Sequence, residues 1–165
     1  MLRRSLLTSA IAASLLTTFS LPAFATQVYE TDLVIIGGGL SGLAAAQSAV
    51  DQGAKPIVLE KEAALGGGGN FPEGSLGVGT RYQKEHNINT TVDQVLIAAL
   101  QYHHYRADPH VLRVLIEESG KTIDWVMDKG AQMRGIRTMY PKDESLMTWH
   151  LFKGGAAGII QRFAK

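Results

Sequence analysis

The chain has 165 residues, room for one domain, and its apolar content of 45% is ordinary for a globular protein with a core. The formal charge of +1 falls to −1 without residues 1–25, which hold Arg3 and Arg4 and no acid, so electrostatics gives no support to a nucleic-acid or anionic-membrane partner. The absence of cysteine excludes disulfides, thiolate metal sites, iron–sulfur ligation and C-x-x-C-H haem attachment within the chain.

Residues 1–25 have a positively charged start, an apolar stretch from about Leu6 to Leu21 and a small-x-small end at Ala23-Phe24-Ala25. This is a signal-peptide pattern, and it predicts export with cleavage after Ala25. The stretch is short for a stable membrane span, which needs about 20 apolar residues. Arg3-Arg4 followed by Leu6-Leu7 also hints at a twin-arginine signal, but Leu2 and Thr8 match that pattern poorly, so the export route stays open.

Residues 26–165 are organised around Thr31 to Glu60. Asp32 to Ile36 is a β-branched apolar run that predicts a buried parallel strand, and it leads directly into Gly37, Gly38 and Gly39, with Gly42 completing a G-x-G-x-x-G spacing. A helix follows from Leu40 to about Gln52, rich in small residues and stopped by Gly53. A second strand, Lys55 to Leu59, ends in Glu60, eighteen positions after Gly42. Gly37 permits the sharp turn, Gly39 lets the backbone come near a pyrophosphate, and Gly42 permits close packing of helix on strand. The first-turn amides and the helix dipole would hold the anion. Glu60 would accept hydrogen bonds from an adenosine ribose and disfavour a 2′-phosphate. Strand, helix, second strand and terminal acid in register point to a dinucleotide site.

Four consecutive glycines, Gly66 to Gly69, precede Asn70. They leave amides free to face a ligand, which suits a loop over a cofactor better than a flexible linker. From Thr91, a plausible N-cap, a helix with Val92, Val95, Leu96, Ala99 and Leu100 on one face is predicted. Asp108 and Pro109 start a second helix, Gly120 marks a break, and a third segment runs from about Lys121 to Lys129. These three make a small helical insertion.

His103, His104 and His110 lie close in sequence, but adjacent histidines on a helix point about 100° apart and no supporting acid stands at i+4, so no metal site is expected. His150 lies just upstream of Gly154-Gly155-Ala156-Ala157-Gly158, which opens an apolar helical run from Ile159 to Phe163, and a structural role suits it better than a site-facing one.

The strings VIIGGGLSGLAAA, VLEKEAALGGGGN and YRADPHVLRVLIEESGKTIDWVMDKGA together resemble the N-terminal part of the FAD-dependent flavoproteins related to fumarate reductase and succinate dehydrogenase. The resemblance runs from about Asp32 to the end. Its most specific parts are the Glu60-Lys61 pair with the glycine loop and Asn70, and E-S-G-x-T-I-D-W at Glu118 to Trp125. The Rossmann fingerprint alone does not separate FAD from NAD; the glycine loop soon after the second strand suggests FAD. The resemblance implies an α/β, Rossmann-like FAD-binding domain, a parallel sheet with helices, carrying a helical insertion and incomplete at its C-terminus. It puts the FAD pyrophosphate at Gly37 to Gly42 with Ser41 among its contacts, the ribose on Glu60, and Lys61 by the adenine end. Gly66, Gly67 and Asn70 would reach toward the pyrophosphate and flavin. Relatives usually place the Asn, Thr or similar residue directly after two glycines, whereas Gly68 and Gly69 intervene here.

The implied activity is hydride transfer between FAD and an unsaturated or saturated carboxylate, with a small-molecule dicarboxylate or other activated alkene as substrate and an electron-donor protein as partner. Related dehydrogenases acting on 3-oxosteroids or urocanate-like acids share the fold, and a non-catalytic fragment with weak nucleotide binding is the other reading. The family's exported members include soluble periplasmic fumarate reductases. Its catalytic arginine and histidine cluster is expected beyond Lys165, so no catalytic residue is assigned here.

Overall fold

The structure is a computed structural model describing residues 27–140 and 145–164. The expected signal peptide, residues 1–25, lies outside them. Among the described residues the secondary structure falls in one compact unit that begins at Thr31.

The sheet-and-helix start follows the pattern of the sequence. Strand β1 (Leu33–Ile36) pairs in parallel with β2 (Pro56–Leu59), Leu33 opposite Pro56 and Ile36 opposite Leu59, and α1 (Leu40–Asp51) crosses between them. Gly53, at φ +82°, ends that helix, and its N–H bonds the Val50 carbonyl at 2.9 Å. Leu43, Ala46 and Ala49 are the buried residues of α1. The burial expected for the strand at Asp32 to Ile36 is not found, because the opposite face of the strand pair stays open. Val34, Ile36 and Leu59 are 52%, 88% and 53% exposed, unusual for parallel strands, which as a rule are covered on both faces.

After a 3₁₀ turn at Gly67–Asn70 the chain enters a second sheet, ordered β3 (Gly74–Leu76), β5 (Met147–Phe152), β4 (Met133–Thr138), all antiparallel. Between these strands run α2 (Arg81–Glu85), α3 (Val92–Tyr102) and α4 (Pro109–Asp128), and α5 (Gly155–Phe163) follows β5. Thr80 and Thr91 cap α2 and α3 in capping boxes with Gln83 and Gln94, and the Asp108 carboxylate caps α4.

One core joins α1, α4, β5 and α5 through Leu43, Ile123, Val126, Phe152, Ile159, Ile160 and Phe163. A second joins α3 and α4 to Val78 through Val95, Leu96 and Ile116. The expected break at Gly120 is absent. Residues 109–128 form one helix, and the glycine is there for packing: a Cβ on Gly120 would come within 3.0 Å of the Val78 carbonyl oxygen. The chain from 77 to 79 lies directly on this turn of α4, with Ser119 Oγ accepting the Val78 N–H at 3.1 Å. A helix-weakening residue is thus kept because only it lets the two backbones meet.

Candidate cofactor site

The two glycine-rich turns, separated by more than twenty residues, are brought into contact. Gly37, at φ +102°, turns the chain out of β1, and its N–H bonds the Leu59 carbonyl at 2.7 Å, tying the turn to the end of β2. Gly39 is the N-cap of α1 and supplies no side-chain cap, so the first-turn amides at Leu40, Ser41 and Gly42 point out of the helix end. Ser41 is exposed there. A Cβ on Gly42 would fall inside 3.0 Å of the Gly37 carbonyl oxygen, whereas one on Gly39 meets only the Gly66 carbonyl oxygen, at 3.9 Å. Gly42 therefore serves the fold. Gly39 leaves open space in front of the helix end.

The second loop lies over this turn. Gly66 bridges Gly39 in a short parallel contact, and its N–H bonds the Gly38 carbonyl at 2.8 Å. Gly69 sits against Leu40, with a hypothetical Cβ 3.0 Å from that side chain and 3.4 Å from Ile160 of α5. The loop is closed by Asn70, whose Nδ2 donates to the carbonyls of Leu65 at 3.1 Å and Gly67 at 3.3 Å. Its side-chain amide is therefore turned back on the loop, and a Cβ on Gly66 would collide with it. Gly67 is exposed, at φ +48°.

Glu60 ties the end of β2 to the first turn. Its Oε2 accepts the Gly38 N–H at 2.7 Å and its Oε1 the Glu62 N–H at 3.0 Å. The Glu62 amide first, and then that of Gly38, hold its carboxyl below the usual glutamate range. Each oxygen keeps a second lone pair, so ribose hydroxyls remain acceptable partners. Lys61 is not drawn in: it is exposed and pairs with Glu62 at 3.5 Å. Open space at Gly39, unspent amides at the start of α1 and a negatively charged acceptor at the strand end fit a dinucleotide with a pyrophosphate centre.

His150 is fully buried away from these turns. Its Nδ1 faces the Thr148 carbonyl at 3.0 Å, so that nitrogen carries the proton, and Nε2 accepts from the Thr80 hydroxyl at 2.9 Å. Burial lowers its pKa, and it fixes α2 to β5 as a neutral structural residue. His103 caps the end of α3, His104 follows at φ +51°, and His110 opens α4. Among the described residues no group of three or more His, Asp or Glu side chains is placed to hold a metal. Sequence reasoning missed the direct contact between the two glycine turns; two glycine runs flanking one strand were the available signal.

A β-α-β unit with an uncapped, glycine-lined helix end, a terminal strand acid and a second glycine loop laid over the turn defines a dinucleotide-binding protein. Residues 32–157 match the FAD binding domain family, and the chain belongs to it. FAD is the cofactor, and the family consists of FAD-dependent oxidoreductases. The chain is 35% identical to the vinyl phenol reductase of Lactiplantibacillus plantarum over 129 residues, covering 78% of this chain and 26% of that protein. It is 31% identical to the NADH:fumarate oxidoreductase of Klebsiella pneumoniae, with 79% and 15% covered. It is also 31% identical to a fumarate reductase (cytochrome) of Shewanella frigidimarina, with 71% and 21% covered. The chain thus spans about a quarter or less of these relatives. An open-conformation flavocytochrome c3 fumarate reductase shares the fold with a TM-score of 0.66 at 21% identity, over 96% of this chain and 26% of that one. The 3-ketosteroid-Δ4-(5α)-dehydrogenase of Rhodococcus jostii does so with 0.65 at 20%, over 88% and 37%.

Proposed function

We propose that this chain is the N-terminal, FAD-holding portion, residues 26–165, of an exported FAD-dependent reductase of activated alkenes, with fumarate or another unsaturated carboxylate as the leading substrate. The observation that carries the reading is the junction of Gly38, Gly39 and Gly66 with Glu60, a cradle for a dinucleotide. Bound FAD supplies the hydride chemistry. The chain's own residues do the binding: the α1 amides take the pyrophosphate, Glu60 takes the ribose, and the loop 66–70 covers the junction. The reductase names among the relatives support the reaction type, and the charged apolar start supports export to the periplasm. Among the described residues no helix is long and apolar enough to cross a membrane. An electron-donor protein completes the scheme.

A second reading, nucleotide binding without turnover by this chain alone, is favoured by the bare face of the strand pair, Val34, Ile36 and Leu59. Catalysis needs an enclosed ring, a substrate at near-attack distance and a proton donor, and the described residues place no acid or base at the glycine junction other than Glu60. Residues 26–165 should retain FAD through gel filtration and show no fumarate reduction with a reduced viologen donor. Loss of FAD refutes the cofactor assignment. Turnover above a no-protein control refutes the division of labour.

A further inference from the structure

The outer face of the antiparallel sheet holds a groove of about 420 Å³ lined by Glu73, Arg137, Thr138, Met139 and Trp149. It follows from the alternation of β5, in which Thr148, His150 and Phe152 are buried and Met147, Trp149 and Leu151 face outward, half-buried. Arg137 is the direct partner of Trp149 in the β4–β5 ladder, so both side chains leave the same face with Cβ atoms about 5 Å apart. Glu73 closes the groove from the start of β3, anchored by its carbonyl, which accepts the Phe152 N–H at 3.1 Å.

The charges are unevenly matched. Among the described residues a single carboxylate, Glu73, serves two guanidinium groups, Arg137 at 3.4 Å and Arg134 at 3.8 Å, all with side chains more than half exposed. Both separations exceed the ~2.8 Å of a well-formed charge-assisted bond, and each guanidinium has five donors. The groove lining thus combines Arg137, whose counter-ion Glu73 is shared with Arg134 outside the lining, with a flat indole and a thioether, surfaces that favour a planar apolar body.

We infer that this groove binds a small organic monoacid with an aromatic or conjugated body, its carboxylate on Arg137 and its plane against Trp149 and Met139. Inorganic anions lack the body, and neutral aromatics lack the charge. Glu73 acts as a competing internal carboxylate. The inference does not use the glycine junction or FAD.

Benzoate, benzyl alcohol and acetate are the probes, applied to the full chain without FAD. The chain has two tryptophans, so Trp125→Phe leaves Trp149 as the one tryptophan emitter, and calorimetry on the unsubstituted chain gives an independent measurement if that variant misfolds. Saturable benzoate binding is expected, about tenfold tighter than either benzyl alcohol or acetate, the factor for one hydrogen bond to a charged group. Arg137→Gln should weaken benzoate about tenfold, and Glu73→Gln should tighten it severalfold by freeing both arginines. No benzoate binding, equal binding of benzyl alcohol, or weaker binding in Glu73→Gln overturns the inference. Each result is read without the flavin, so it leaves the reductase reading untouched.

Discussion

Gly39 and Gly42 stand three residues apart in one fingerprint, and replacing them should have opposite consequences. At Gly42 an added Cβ falls within 3.0 Å of the Gly37 carbonyl oxygen, a backbone atom that cannot swing aside. Alanine there gains about 1 kcal/mol of helix propensity but forces a backbone shift of about 1–3 kcal/mol or more, so the fold loses stability with or without ligand. At Gly39 the Cβ meets only the Gly66 carbonyl oxygen at 3.9 Å, and the φ of −73° suits any residue. The cost of alanine to the fold is then about 1 kcal/mol, that of a poorer N-cap. Its effect on FAD is larger, because the side chain fills the space in front of the helix end. With the pyrophosphate placed as proposed, losing two amide bonds to it at about 1.5–3 kcal/mol each would remove roughly 3–6 kcal/mol, two to four orders of magnitude in affinity. Thermal melts of ligand-free protein and visible absorbance after gel filtration separate the two effects. Gly39→Leu should melt lower by only the few degrees that about 1 kcal/mol of poorer capping costs and carry no flavin; Gly42→Ala should melt lower still, with or without flavin. An unchanged flavin spectrum in Gly39→Leu would refute the placement of the pyrophosphate.

Glu60→Ala should weaken FAD binding roughly tenfold to a hundredfold in equilibrium titration, since it removes the proposed ribose acceptor and releases the Gly38 amide. The folded-state pKa of Glu60 is lowered, so its contribution is present above the ordinary carboxyl range and is lost as the pH falls through that folded value, and FAD retention should decline in acid. His150 is also lowered, by burial, opposed by its Thr148 bond and by the charge of Asp124. The unfolded state therefore binds its proton first, and stability should be full above about pH 6.5 and decline below it as the pH approaches the folded value. Urea midpoints at about pH 7.5 and about pH 5 test this, and His150→Gln should flatten the difference. Gly120→Ala should lower the melting temperature although alanine favours helices, because the Val78 carbonyl occupies the space; a raised melting temperature would contradict the packing described here.

What the sequence by itself determined is local. The strand–turn–helix–strand order of residues 32–60 was legible because each decision rests on neighbours a few residues away: β-branched runs, a positive-φ glycine at Gly37, a helix stop at Gly53. The N-caps at Thr91 and Asp108 were legible for the same reason, since a cap and the amides it satisfies lie within three residues. Tertiary structure decided the rest. Gly120 reads as a break by propensity and becomes a contact surface once residues 77–79 lie against it. The sheet β3-β5-β4 joins residues more than seventy positions apart, a pairing that local pattern does not carry. Packing likewise placed His150 among Thr80, Thr148 and Tyr82 rather than at the glycine turns. Within the proposed site, the glycines and Glu60 are a reading of the sequence pattern, while the fold determined that Glu60 braces Gly38, that Asn70 closes its own loop and that Lys61 faces solvent. The physical reason is the same in each case: covalent geometry and short hydrogen bonds act within a few residues, whereas burial and backbone approach depend on which distant segments the core brings together.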